Sequence, residues 1–233
     1  MSKLQELIRE LCSDGVEYKK LGEAFILYKG MTGVSQKWAE SGNCVFIDYL
    51  NAYNHLKIDV ALLRNATVKK LEQNIIERGD ILLTSASETP DECAISSVVE
   101  DNIQNNVFLD DHLFGLKLRD EYKGRLNTVF VNYYFRSIEF RKTVNKAVRG
   151  VTRFYICNPD FLKLQIPVPP IEVQIEIVRI LDNFTNLAAE LQAELQAELQ
   201  ARQEQYEYYR NKLLSFSKIS RGGGYRRNLD EDE

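Results

Sequence analysis

At 233 residues and 27.0 kDa, with 44% hydrophobic, 10% aromatic and 27% charged residues, the chain has enough apolar side chains for one globular domain plus an appendage, which excludes a collagen, a linker or a disordered tail. No window approaches the ~20 apolar residues of a membrane span, and the opening MSKLQELIRE breaks any signal-peptide run with charges, so the expectation is a cytoplasmic protein without membrane contact. Cys12, Cys44, Cys93 and Cys157 form no C-x-x-C pair, which argues for reduced thiols and against a structural zinc, while the net charge of -4 excludes nothing by itself.

Residues 1–14 read as a short amphipathic helix, with Leu4, Leu7, Ile8 and Leu11 at helical spacing and Ser13-Asp14-Gly15 as its stop. From Gly22 onward the pattern turns to short apolar runs, and strands are expected at 24–28, 44–50, 81–83, 107–109 and 113–118, joined by polar loops. Residues 126–148 read as one amphipathic helix, with Val129, Phe130, Tyr133, Tyr134, Ile138, Phe140 and Val144 inward. Here the net charge resolves into parts. Residues 1–116 hold 11 basic against 18 acidic groups, residues 117–163 hold 11 against 4, and residues 164–233 hold 8 against 12. A segment of +7 inside an acidic chain is the local field a polyanion would meet, although a solvated helix face is the plain alternative.

A strand candidate at 161–166 leads into Pro167-Val168-Pro169-Pro170, which forbids a helix and marks a domain boundary. The 47 residues 171–217 then contain neither Pro nor Gly and predict a helix of about 70 Å. Ile177, Leu181, Phe184, Ala188, Leu191 and Leu195 step by four and three, a heptad seam. A tandem repeat, Leu-Gln-Ala-Glu, Leu-Gln-Ala-Glu, Leu-Gln-Ala-Arg, slips that seam through Leu191, Leu195 and Leu199 before it resumes at Tyr206, Tyr209 and Leu213. Such a slip is a stutter that locally unwinds a supercoil. The fold class is therefore α+β, a mixed α/β head followed by a long coiled-coil helix, with the parts bounded as 1–14, 15–170, 171–217 and a flexible charged tail at 218–233.

Motifs for catalysis are weak. Asp91, Glu121 and Lys123 match the bare text of a metal-dependent nuclease, but the carboxylates fall in a polar stretch and a turn instead of on adjacent core strands. Asn158-Pro159-Asp160-Phe161 is similar to the amino-group clamp of adenine methyltransferases, yet Asp160 stands at its second proline, no glycine-rich turn precedes it, and an Asn-Pro turn is much the better reading. His55 and His112 are far apart and without nearby cysteine, which does not make a metal site. The catalytic inventory is empty, so function should lie in binding.

The run 164–178, Leu-Gln-Ile-Pro-Val-Pro-Pro-Ile-Glu-Val-Gln-Ile-Glu-Ile-Val, with Leu181-Asp182-Asn183-Phe184, resembles the junction between target recognition domain and spacer helix in specificity subunits of type I restriction-modification systems. Glu17-Tyr18-Lys19-Lys20-Leu21-Gly22-Glu23 resembles the opening of such a domain, Glu77-Arg78-Gly79-Asp80-Ile81-Leu82-Leu83-Thr84 its central strand, and Tyr209-Arg210-Asn211-Lys212-Leu213-Leu214 the end of its spacer. Family members carry two such domains and two spacers, so this chain looks like a half subunit. The resemblance implies an antiparallel homodimer that reads double-stranded DNA at an interrupted palindrome, with the repeat setting the gap. Methyltransferase and restriction subunits would be the partners and would carry S-adenosylmethionine, ATP and Mg²⁺, leaving this chain non-catalytic and without a cofactor or metal of its own.

Under that reading Arg136, Arg141, Lys142, Lys146, Arg149 and Arg153 are expected at phosphates. Lys29, Thr32, Ser35, Gln36, Lys37, Ser85, Ser87, Glu88 and Thr152 are expected at base edges, joined there by Arg153. The rival is a coiled-coil scaffold that binds no nucleic acid, or, further off, the nuclease.

Overall fold

A computed structural model describes residues 2–38, 40–103 and 107–216, and the tail expected at 218–233 lies outside them. The chain divides into two compact units, Met1–Asp182 and Asn183–Glu233. In chain order the first unit runs through α1 (Lys3–Leu11), β1 (Glu17–Lys20), α2 (Leu21–Ala24), β2 (Phe25–Lys29), β3 (Val34–Lys37), β4 (Cys44–Ile47), α3 (Tyr49–Asn54) and β5 (Arg64–Val68). It continues with β6 (Ile81–Thr84), β7 (Ala86–Ser87), β8 (Ser96–Val98), β9 (Val107–Leu109) and β10 (Leu113–Leu118). Then come α4 (Thr128–Phe135), α5 (Ile138–Ala147), β11 (Phe154–Tyr155), α6 (Asn158–Phe161), β12 (Gln165–Val168) and the first turns of α7 (Ile171–Leu213).

Two four-stranded sheets organise this unit. One has the order β2-β10-β6-β8 and is antiparallel throughout, while the other has the order β3-β5-β4-β9 and closes with a parallel pair in which Val45 faces Val107. Strand β6 is buried along its whole length, so its sequence shows no polar alternation. Its side chains still alternate between cores. Ile81 and Leu83 join a cluster with Phe130, Phe135, Phe140 and Phe161 of the helices, and Leu82 joins one with Ile47 and Leu109 of the second sheet. Rings of Phe135 and Phe140 stack at 4.5 Å, and Phe161 meets Phe114 edge-on at 5.3 Å.

Several expected elements end sooner than their apolar runs. The run 44–50 is a strand only to Ile47, because the Asp48 carboxylate accepts from the Asn51 amide at 2.8 Å and starts α3. The helix expected over 126–148 breaks in two, since Ser137 is extended and its hydroxyl accepts from the Phe140 amide at 3.3 Å to cap α5. The strand expected at 161–166 begins at Gln165, α6 having taken Asn158–Phe161. Pro167 lies inside β12 opposite Tyr18, a place it can hold because β12 pairs with β1 alone. Packing of the first unit continues beyond the prolines, with Val173, Gln174 and Glu176 buried.

Gln174 is fully buried, and its amide is satisfied three times by main chain. Its Oε1 accepts from Asn127 N at 2.8 Å, and its Nε2 donates to Arg125 O at 2.9 Å and Pro169 O at 2.6 Å. Nearby, Glu176 takes bonds from Arg179 and, at 3.0 Å, from Lys3 of α1, and these cations pull its carboxyl down to about 2. On the sheet, Gly115 leaves room for the Tyr28 ring, which would lie 2.2 Å from any Cβ there. The Tyr28 hydroxyl donates to Asp80 at 2.7 Å.

In the second unit α7 carries an apolar stripe that nothing in the described chain covers. Phe184, Leu187, Leu191, Leu195, Leu199, Tyr206, Tyr209 and Leu213 are 50–72% exposed, and Ala188 is exposed among them. Local support comes from i,i+4 pairs such as Arg202 with Glu198 at 3.2 Å. Of the expected seam, Ile177 and Leu181 lie within the first unit, where both are half-buried and Ile177 packs on its core. The helix ends at Leu213, four residues short of its expected end.

Two outcomes follow from these contacts. Gln174→Leu removes three bonds from buried main-chain groups and should cost about 2 kcal/mol in a urea unfolding midpoint, an unchanged midpoint contradicting the assignment. Burial pushes the Asp80 carboxyl up from 3.8 to about 6, with the Tyr28 hydroxyl pulling the other way. Its contribution to stability is therefore full below 3.8 and lost as pH rises through about 6. In Tyr28→Phe the Asp80 midpoint should move higher still, as carboxyl carbon-13 NMR would show.

Candidate nucleic-acid interface

The residues expected at phosphates separate into two groups. Arg136 and Arg141 are half-buried, with their guanidinium groups bonded to main-chain carbonyls. Arg136 donates to Ser96 O at 2.7 Å and His55 O at 2.8 Å, and Arg141 donates to Ala94 O at 3.0 Å, Asp91 O at 2.9 Å and Cys93 O. Burial lowers the pKa of both groups. Each is a strut that fixes the segment 91–96, because a planar five-donor group satisfies several carbonyls at once. Lys142 and Lys146 are exposed on α5, while Arg149 is tied to Asp160 at 2.7 Å. Arg153 is exposed on the approach to β11.

Among the expected base readers, Lys29, Thr32, Ser35 and Gln36 are exposed along the end of β2 and β3, with Thr32 N bonded to Gln73 and Ser35 Oγ to Thr67 O. Ser85 Oγ donates to His112 O at 2.7 Å, and Thr152 is exposed beside Arg153. The structure brings Lys37, Ser87, Glu88 and Arg153 together on one cleft of about 520 Å³, completed by Trp38, Tyr49, Tyr53, Ala86, Glu92, Asp110 and His112. Three separate stretches of sequence thus meet at one place.

Each wall of this cleft is held by specific contacts. Gly30 passes so close to Asp110 that a Cβ would lie 1.9 Å from its carbonyl, and this draws the β2–β3 turn onto the β9–β10 turn. Lys37 then reaches the buried Asp110 carboxylate at 3.1 Å and also bonds Asp111. Burial alone would raise the Asp111 carboxyl, but Lys37 more than offsets it and holds the group below its ordinary range. Tyr49 and Tyr53, one turn apart on α3, stack at 5.7 Å. Glu92 accepts from Tyr53 at 2.7 Å and from Ser87 at 3.3 Å, and such hydroxyls hold its carboxyl down, so it stays an acceptor at neutral pH. The cleft thereby offers fixed acceptors, the Arg153 guanidinium and an aromatic wall, with Lys37 held on Asp110 and Asp111, a set of groups suited to the edges of bases.

Sequence reading missed Trp38, Tyr49, Tyr53, Glu92, Asp110 and His112. The signal for two of them was present in Asp48-Tyr49-Leu50-Asn51-Ala52-Tyr53, a capped helical turn that the apolar run before it concealed.

The other motifs have structural employment. Asp91 lies on a 3₁₀ turn against α5 and Glu121 on another after β10, where Lys123 bonds Asp120 at 2.6 Å, so no pair of core strands presents the two carboxylates. Asn158–Phe161 is a helical turn whose Asp160 pairs with Arg149 and Lys163 and whose Phe161 is fully buried. Among the described residues, the one group of three possible metal ligands is Asp110, Asp111 and His112, and the Lys37 ammonium bonds both of its carboxylates.

Comparison with known proteins gives the family. The type I restriction modification DNA specificity domain matches residues 13–201, and the chain belongs to that family. It is 31% identical to the EcoprrI specificity subunit of Escherichia coli over 246 aligned positions, covering 99% of this chain and 57% of the relative. A specificity subunit of Haemophilus influenzae is 42% identical over 103 residues, which is 42% of this chain and 26% of that one. The solved S subunit from M. genitalium (TM-score 0.53, 15% identity) and HsdS from Thermoanaerobacter tengcongensis (TM-score 0.54, 20% identity) share the fold over 82% and 81% of this chain. The chain spans 44% of each of those structures.

The division between struts and exposed cations is measurable. Arg141→Ala should lower stability by about 2 kcal/mol, whereas Lys142→Ala and Lys146→Ala should stay within about 0.5 kcal/mol in the same urea titration. In a gel-shift salt series the two lysine variants should flatten the salt dependence of binding to duplex.

Proposed function

We propose that this chain is the DNA-reading component of a type I restriction-modification enzyme and acts as a homodimer. Two copies of α7 pack antiparallel along their apolar stripes, and each copy reads one half of an interrupted palindrome. The observation that carries this reading is family membership across residues 13–201, joined to a cleft where Lys37, Ser87, Glu88 and Arg153 converge. The uncovered stripe from Phe184 to Leu213 supports the dimer, since an isolated helix with that much exposed apolar surface gains by burying it against a second one.

In this scheme Lys142, Lys146 and Arg153 contact phosphate, joined by Arg149 where phosphate displaces Asp160, and the cleft reads base edges. Methyltransferase and restriction subunits dock on the dimer and bring S-adenosylmethionine, ATP and Mg²⁺, and the assembly works in the cytoplasm. The chain supplies the address and no chemistry of its own.

Methylation mapping with and without this chain, beside its methyltransferase subunit, tests the scheme. Methylation should appear at one motif with two-fold symmetry, and an asymmetric motif would rule out the homodimer. Removal of one Leu-Gln-Ala-Glu unit should shorten α7 by about 6 Å and contract the gap by roughly two base pairs. A gap that stays the same would refute the repeat as a spacer.

A further inference from the structure

Trp38 is the single tryptophan of the chain and is 66% exposed. It follows β3 at φ 55°, the left-handed region that costs a bulky L-residue free energy. A large apolar ring held in water on a disfavoured backbone gains nothing for the fold. Its position suggests what it gains elsewhere. Trp38 lines the base-reading cleft and also a second cleft of about 490 Å³, which it shares with Leu50, Leu63 and Arg64. Leu50 is 60% exposed, so two bare apolar side chains border one opening.

One cation lies in each cleft, Arg64 beside Glu40 and paired with Asp48 at 3.6 Å, and Arg153 beside Glu88 and Glu92. Lys37, the residue before Trp38, is anchored on buried Asp110, which gives the ring a rigid base. An exposed apolar wedge at the rim of the base-reading cleft fits duplex DNA: exposed Arg153 meets phosphate and the wedge enters the base stack, as apolar side chains do where proteins unstack a step.

We infer that Trp38, with Leu50 beside it, inserts against a base step of the bound half-site and contributes to specificity through the deformability of that step. This rests on the DNA-reading proposal and adds a mechanism to it. A flexible pyrimidine–purine step at the point of insertion costs least to open, so the preference would fall on a base pair that no hydrogen bond reads.

The single tryptophan makes the test direct. The full chain is titrated with a duplex selected from a randomised pool and with a scrambled duplex of the same length, and indole emission is followed. Stacking on a base should quench emission with the selected duplex more than with the scrambled one. Trp38→Ala should reduce the affinity ratio of selected to scrambled duplex by about tenfold while leaving scrambled binding within about twofold, and Trp38→Phe should restore most of the ratio. Unchanged emission at saturation, or an unchanged ratio in Trp38→Ala, overturns the inference and leaves the DNA reading standing. Emission that shifts on diluting the protein without DNA also overturns it, since the ring would then lie between copies. A chain that retains no duplex at any salt concentration overturns both.

Discussion

A single buried amide ties the parts of the first unit together. Gln174 bonds the loop before α4 through Asn127 N and Arg125 O, and the proline strand through Pro169 O. The Asn127 side chain in turn caps α4 through the amides of Val129 and Phe130. From α4 and its continuation α5 the chain of contacts reaches the cleft: Arg136 holds His55 and Ser96, Arg141 holds the 91–94 segment, and that segment presents Glu92 to Tyr53 and Ser87. A polar group buried at this depth is favourable only when every donor and acceptor is met, so the same requirement that fixes Gln174 fixes the entry to α7.

The basic segment is less of a field than its composition suggests. Lys117, Lys123, Arg149 and Lys163 each sit on a carboxylate, and Arg136 and Arg141 are spent on carbonyls. Of the cations that remain, Lys142 and Lys146 share α5, and Arg153 borders the cleft. Charge counted along a chain adds groups that the fold has neutralised to groups that it displays.

Strands with an apolar core face were legible from sequence because burial selects their residues, as in β2, β6, β9 and β10. Strands β3 and β5 were not, since Val-Ser-Gln-Lys and Arg-Asn-Ala-Thr-Val are largely polar and their pairing is made by partners distant in sequence. The long helix was legible from the absence of breakers. Its exposed apolar stripe was legible too, apart from Ile177 and Leu181, which the first unit half-buries. The cleft was legible only in pieces: Lys37, Ser87, Glu88 and Arg153 stood on separate loops, and only Gly30 passing over Asp110 and Tyr49 stacking on Tyr53 show that they converge. Whether an arginine faces solvent or a carbonyl has no local signature, so the bonds that Arg136 and Arg141 make to main chain are visible only in the fold.

The four-residue repeat has a rotational consequence as well as a linear one. An α-helix turns by about 100° per residue, so each added unit carries the far end of α7 one full turn and about 40° more. Duplex DNA lengthened by roughly two base pairs turns by about 70°. Under the proposed arrangement a spacer that keeps pace with DNA in distance therefore falls behind it in angle by about 30° per unit. The recognition domains or the duplex must absorb that torsion, and it accumulates with copy number. In that arrangement the repeat would act as a screw whose pitch differs from that of the DNA beside it.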